Sequence, residues 1–249
     1  MPIIIPDRSV NIYQIYHKPE LKVHLDPAFI PFDHCDFTAQ NPELSAAWRE
    51  WPILRNFGLQ RAQEDNAEVW GFVSYKWAEK TQVPGQKFVD FIRANPDNDV
   101  WFMEPRYMPF NPFVNSWIQG DMFHPGISKI VNSVMSINGH KANFRHIPMP
   151  LCYYNFFAGT EKFWSTFLSI IDKLIDTCQK DEALNKLVFE TSANHGNDAS
   201  VPYFIFLVER MFPTVITLSG LNYLGLKYHT NDFLVDPKNC IEVVDSYIK

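Results

Sequence analysis

Short apolar runs that end in polar residues alternate along this chain with longer stretches of helical spacing. Residues 12–16 read as a first strand, followed by His17, Lys18 and Pro19. Residues 29–32 form a second apolar run, ending in Asp33, His34 and Asp36. Asn41 then suits a helix N-cap, with Pro42 at the first helical position and Glu43 in the first turn. Leu44, Ala47, Trp48, Trp51 and Leu54 recur at helical spacing, and Pro52 is expected to kink that helix. Residues 69–75 are apolar on both faces, the pattern of a central strand, and run into Ser74-Tyr75-Lys76-Trp77. A strand whose C-terminal end turns polar and aromatic is how open α/β sheets build ligand sites.

The pattern continues with a short helix around 88–93, closed by Asn95-Pro96, and a strand at 99–103 stopped by Glu104-Pro105. Residues 105–126 carry Pro, Asn and aromatics with little periodicity and read as a long structured loop. Residues 153–158 are a further strand candidate. Gly159-Thr160 then opens a helix in which Phe163, Phe167, Ile170, Ile171, Leu174, Ile175 and Cys178 share one face. A polar stretch at 190–200 precedes a last helix at 201–212, which Pro213 is expected to stop. Residues 221–228 read as an edge strand or a loop. No repeat or linker divides the chain, so one α/β domain over residues 1–249 fits best.

Composition narrows the picture. Apolar residues make up 46% of 249 positions, enough for a substantial core without staples. Aromatics reach 15%, and their rings serve either a core or a pocket for flat ligands with polar edges. The formal charge of −6 argues against a general nucleic-acid surface. Cys35, Cys152, Cys178 and Cys240 are widely spaced, which argues for reduced thiols and a cytoplasmic location over a disulfide framework or a close-spaced metal motif. The run at residues 1–6 is too short for a signal peptide, and no stretch approaches a membrane span, so any membrane contact is expected to be peripheral.

Four groups of residues have the right types for chemistry. Asp97-Asn98-Asp99 has the spacing of a metal-held diphosphate site, but it precedes a strand and also makes a good turn. Asp121 and His124 lie in the dense 115–126 segment, where a carboxylate can take the proton of an acceptor hydroxyl and an imidazole can share it. Trp117 nearby can stack on a sugar. Lys76 can neutralise a diphosphate as a point charge. Glu209-Arg210 interrupts an apolar helix and is read as structural support for the site.

The order of these segments resembles the bacterial capsular and surface-polysaccharide glycosyltransferases, particularly a GT-A-like group first catalogued as a domain of unknown function. The matching residues are Asn41-Pro42-Glu43 with Trp48 and Trp51, then Trp70-Gly71-Phe72-Val73-Ser74-Tyr75-Lys76-Trp77. Tyr154-Asn155-Phe156-Phe157 with Phe163-Trp164 follow, and the segment 204–212 contains Glu209-Arg210. The likeness covers roughly residues 40 to 212. Where the group has His-Tyr-Arg-Arg, this chain has Ser74-Tyr75-Lys76-Trp77, which keeps Lys76 alone of the basic residues.

The resemblance implies a single GT-A-like, Rossmann-like α/β domain with a mixed, mostly parallel sheet flanked by helices. It implies transfer of a sugar from a nucleoside-diphosphate-sugar donor to a hydroxyl of a glycan acceptor, with a divalent metal left open. The donor is expected near His17, Asp33, Asn41, Glu43, Tyr75 and Lys76. Trp117 and Asn155 are expected on the acceptor side, Asp121 and His124 in the acid–base role, and Glu209 and Arg210 in support. The alternatives are a transferase that glycosylates a modified base in phage DNA, and a non-catalytic carbohydrate-binding protein on the same fold.

Overall fold

The computed structural model describes residues 8–36, 51–57, 67–106, 113–152, 154–193 and 201–229. Strand β1 (Val10–Tyr16), a 3-10 turn (Pro19–His24) and β2 (Ile30–Asp33) come first. A π-helical turn at Ile53–Phe57 precedes β3 (Val69–Ser74). Helices α1 (Trp77–Thr81) and α2 (Gly85–Ala94) lead to β4 (Val100–Arg106). Helices α3 (Ser116–Phe123) and α4 (Ile127–Ile137) precede the short β5 (Phe157–Gly159). Then come α5 (Glu161–Lys180), α6 (Glu182–Asn185), α7 (Tyr203–Leu218) and β6 (Tyr223–His229).

The strands form one mixed sheet in the order β2-β1-β3-β5-β4-β6. β1 runs parallel to β2 and β3, and β4 to β6, while β5 is antiparallel to both its neighbours. This is the α/β class and mostly parallel sheet expected from the sequence. From β1 the chain adds β2 on one side and β3 on the other, so the winding reverses at the C-terminal ends of β1 and β3, which is where ligands bind open α/β sheets. The tight β3–β5 pairing depends on Gly71, because a Cβ there would sit 2.3 Å from the Phe157 carbonyl oxygen.

Alternation along the strands builds two cores. Tyr13, Ile15, Trp70, Phe72, Val100 and Phe102 face the layer of α3, α4, α5 and α7. Ile12, Val69, Val73, Trp101 and Met103 face Trp77 of α1 and Phe88, Val89 and Ile92 of α2. The aromatics are mostly core: every described tryptophan is buried, and Phe212 of α7 stacks on Phe157 at 4.4 Å between ring centres. Each such pair adds about 0.5–1.5 kcal/mol beyond burial.

Two readings of the chain change. The segment 105–126 is not a loop throughout, because α3 lies inside it, started by Asn115, whose side chain accepts from the amides of Trp117 and Ile118. That helix is buried on most sides, so it carries no amphipathic stripe to read. Pro213 does not stop α7, which continues to Leu218. Proline there gives up the N–H that would reach the Glu209 carbonyl four residues back, and its ring crowds that carbonyl, but packing carries the helix through. The helix expected from Asn41 falls largely outside the described residues.

Candidate functional site

The C-terminal ends of β1, β2 and β3 bring together side chains far apart in sequence. β1 delivers Tyr16 and His17, β2 delivers Asp33 and His34, and β3 delivers Ser74, Tyr75 and Lys76. The Tyr16 hydroxyl bonds to both Asp33 and Lys22, and the Lys22 ammonium lies 5.3 Å from the Tyr16 ring centre. The His17 and Tyr75 rings meet edge to face at 5.2 Å, and the Lys76 ammonium lies 5.8 Å from the Tyr75 ring.

Local backbone chemistry fixes these positions. The amides of Cys35 and Asp36 donate to Asp33 Oδ1 at 2.9 and 3.3 Å, closing β2 with a side-chain turn. The buried Gln14 donates from Nε2 to the Ser74 carbonyl at 3.1 Å and accepts from the Asp26 amide at 2.7 Å. Asp26 in turn accepts from the Gly85 amide at 2.8 Å and so starts α2. One polar chain therefore ties the ends of β1 and β3 to the first turn of α2.

The electrostatics follow from this packing. Burial pushes the Asp33 carboxyl up, but bonds from the Tyr16 hydroxyl and the Asp36 and Cys35 amides, with the Lys22 charge, hold it below the usual carboxylate range. His34 is held below the ordinary imidazole value by burial first and by the neighbouring His17 second, against the pull of Asp33. Burial raises the Tyr16 hydroxyl. The cluster thus offers a fixed carboxylate, two ammonium groups, two imidazoles and a half-buried ring at Tyr75.

The same sheet end continues toward its middle. Because β5 is antiparallel, the residues that enter it lie at the C-terminal ends of β3 and β4, and the Met103 amide donates to the Phe156 carbonyl at 2.9 Å. Asn155 holds a left-handed backbone with φ +54°, and its carboxamide oxygen is buried without a hydrogen-bond partner among the described residues. The Lys80 ammonium lies 5.1 Å from the Tyr154 ring. Cys152 is pushed up to about 12 by burial and further by Glu209, against the amides of residues 154–156. Burial raises Glu209 to about 6 against the opposing charge of Arg210, whose Nη1 is 3.7 Å from its carboxylate.

The residues expected on the acceptor side are arranged otherwise. Trp117 is 0% exposed and donates from its indole to Thr214 Oγ1 at 2.8 Å, so its ring presents no face to a sugar. Asp121 accepts from the Ser128 amide at 3.0 Å and from the Ser128 hydroxyl, and it pairs with Arg145 at 3.2 Å. It thereby fastens the first turn of α4 to α3. His124 stacks on Phe206 at 3.7 Å, with Nδ1 3.0 Å from the Ala193 carbonyl oxygen. Arg210 donates to the carbonyls of Ser116 and Phe206 and to Gln119 Oε1, which binds α7 to α3.

Asn41 and Glu43 lie outside the described residues. The Asp97–Asp99 segment is a turn at the opposite end of the sheet. There Asp99 Oδ2 accepts from the Asn222 amide and the Lys162 ammonium, both at 2.9 Å. Among the described residues no group of three or more His, Cys, Asp or Glu side chains is arranged to hold a metal ion. Sequence reading missed Tyr16, Lys22, His34 and Gln14 as members of the cluster. Gln14 carried a signal, a polar residue inside an apolar strand, whereas Lys22 sits in a turn with no pattern around it.

No family model and no curated protein matches the chain. Among solved structures it is similar to the apo structure of WbbM, a bifunctional glycosyltransferase, at 15% identity and a TM-score of 0.43. The aligned part covers 91% of this chain and 46% of that one, so this chain spans about half the length of that protein.

Proposed function

We propose that this chain is a nucleotide-sugar-dependent glycosyltransferase of GT-A-like form, with the donor lying across the C-terminal ends of β1, β2 and β3. The observation that carries the reading is the cluster of Asp33, Tyr16, Lys22, His17, Tyr75 and Lys76 at the point where the sheet reverses its winding. An ionised carboxylate there accepts hydrogen bonds from ribose hydroxyls or a base amide. The half-buried ring of Tyr75 suits a base or sugar, and the two lysines and two histidines suit a diphosphate. The sequence resemblance to surface-polysaccharide transferases points the same way, and a glycan hydroxyl is the acceptor it implies.

The test is a thermal-shift screen of uridine, guanosine, cytidine and thymidine diphosphate sugars, each with and without manganese. A ligand that binds only the folded chain at a hundred times its dissociation constant stabilises it by about 2.7 kcal/mol. A shift with one nucleotide series, abolished in Asp33→Asn, is the expected result. No shift with any donor at millimolar concentration overturns the reading.

A further inference from the structure

The donor cluster occupies one side of the strand ends, and the reaction needs a group on the other side to take the acceptor's proton. The notable carboxylate there is Glu209. Its placement follows from the direction of α7. β6 begins opposite Val100, at the N-terminal edge of the sheet, so α7, which precedes it, runs antiparallel to β4. Phe212 packs on the sheet against Phe157 and Phe102. Glu209 is three residues earlier, on the same helix face and about 4.5 Å nearer the C-terminal strand ends. That level is the entry to β5, where Glu209 acts on the Cys152 thiol and where Asn155 holds its left-handed turn.

The neighbours leave the Glu209 carboxylate in an unusual state for a buried acid. Arg210 turns to α3, where the Ser116 carbonyl and Gln119 Oε1 engage it, a third bond goes to the Phe206 carbonyl of its own helix, and its approach to Glu209 is only 3.7 Å. The Glu209 side chain keeps 25% exposure, which is access for a reacting hydroxyl. Asn155 belongs to the stretch whose amides reach the same Cys152 thiol, and its carboxamide oxygen is buried with no hydrogen-bond partner among the described residues. By contrast Asp121, the acid suggested by residue type, is 8% exposed and engaged by Ser128 and Arg145.

We infer that Glu209 is the general base of the transfer step, set on the acceptor side of the strand-end crevice. This rests on the donor reading above. In the step, the acceptor oxygen attacks the anomeric carbon as its proton passes to the Glu209 carboxylate. The bond from the anomeric carbon to the diphosphate breaks, and the nucleoside diphosphate leaves with the electron pair. The step is a single displacement and inverts the anomeric centre. A base whose carboxyl lies near 6 suits proton transfer near neutral pH.

The test uses Glu209→Gln in the full chain, with nucleotide sugars as donors and a panel of methyl glycosides as acceptors. The expected result is a fall in kcat of about 10²- to 10⁴-fold. Donor affinity is expected within about twofold of wild type, and the melting temperature near pH 8 equal or higher. The wild-type rate should rise with pH through a midpoint near 6, a limb lost in the variant. A kcat within threefold of wild type, or a lower melting temperature near pH 8, as a purely structural pair with Arg210 requires, overturns the assignment. A carbon-13 titration of the Glu209 carboxyl reads the same point without turnover, and a midpoint at the ordinary glutamate value also overturns it. Failure of the wild type to bind any nucleotide sugar instead sinks the donor reading itself, and the base assignment with it.

Discussion

Two polar clusters of this molecule are built from similar residue types and do opposite things. Asn115, Asp121, His124, Ser128 and Arg210 lie between α3, α4 and α7, are nearly dry, and have their hydrogen bonds made within the fold. His17, Asp33, His34, Tyr75 and Lys76 lie at the strand ends, half-buried or exposed, with charges held next to one another. The first cluster joins the inward faces of three packed helices. The second sits at the C-terminal strand ends where the winding reverses, the place where open α/β sheets bind ligands. Density of functional groups marks both, and what separates them is whether the groups are already saturated by their own fold.

The largest effect that separates the two clusters is expected at Asp121. Asp121→Asn removes the charge facing Arg145 and breaks the match to Ser128. Breaking a buried pair costs about 3–5 kcal/mol, and the partial exposure of Arg145 puts this one at the low end. Urea unfolding should show a loss of about 3 kcal/mol, with nucleotide-sugar affinity per folded molecule unchanged. A variant of wild-type stability that loses transfer would return Asp121 to the catalytic role and dissolve the contrast.

Glu209 is predicted to behave in the reverse sense. Its folded pKa is raised to about 6 from 4.5, so the folded chain binds the extra proton and stability falls as pH rises through that window. Above it the penalty is about 2 kcal/mol. Glu209→Gln should therefore be more stable than wild type near pH 8 by up to about 2 kcal/mol and equal to it near pH 4, read from urea midpoints at both. Stability gained where activity is lost is the signature of a residue kept for chemistry.

The same distinction explains what the chain shows of itself before it folds. Strand positions were legible, because β1, β3 and β4 are apolar runs bounded by Pro, Asn and Asp, and the long helix α5 carries a clean stripe capped by Thr160. The strand-end cluster was legible too, since polar residues at the ends of strands are visible in order. Helix α3 was not, because a helix buried on most sides has no periodicity. Nor was the saturation of Asp121, because Ser128 and Arg145 reach it only through the turn between α3 and α4 and the segment after α4. Glu209 was visible as an anomaly in an apolar helix, but its direction depends on Phe212 and on how α7 crosses the sheet.

At the strand ends, Asp33→Asn is expected to weaken donor binding by about tenfold or more, or at least 1.4 kcal/mol, by isothermal titration. Its stability consequence is pH-dependent. Asp33 is depressed in the fold, so its contribution is present above the unfolded pKa and is lost as pH falls through the folded one. The unfolding midpoints of wild type and variant should therefore converge under acid conditions. Equal donor affinity in the two proteins would remove Asp33 from the pocket.

The smallest effect is predicted for Lys76, and its form matters more than its size. Lys76 is exposed and makes no ion pair among the described residues, so Lys76→Ala should leave stability within about 0.5 kcal/mol. Donor affinity should fall about three- to tenfold at low salt, and the gap should narrow as salt is raised, because an exposed ammonium facing a diphosphate is screened over about 10 Å at 0.1 M. That salt dependence distinguishes an ammonium that faces the phosphates from one that only packs beside the Tyr75 ring. Donor affinity equal to wild type at low salt would place the diphosphate away from Lys76.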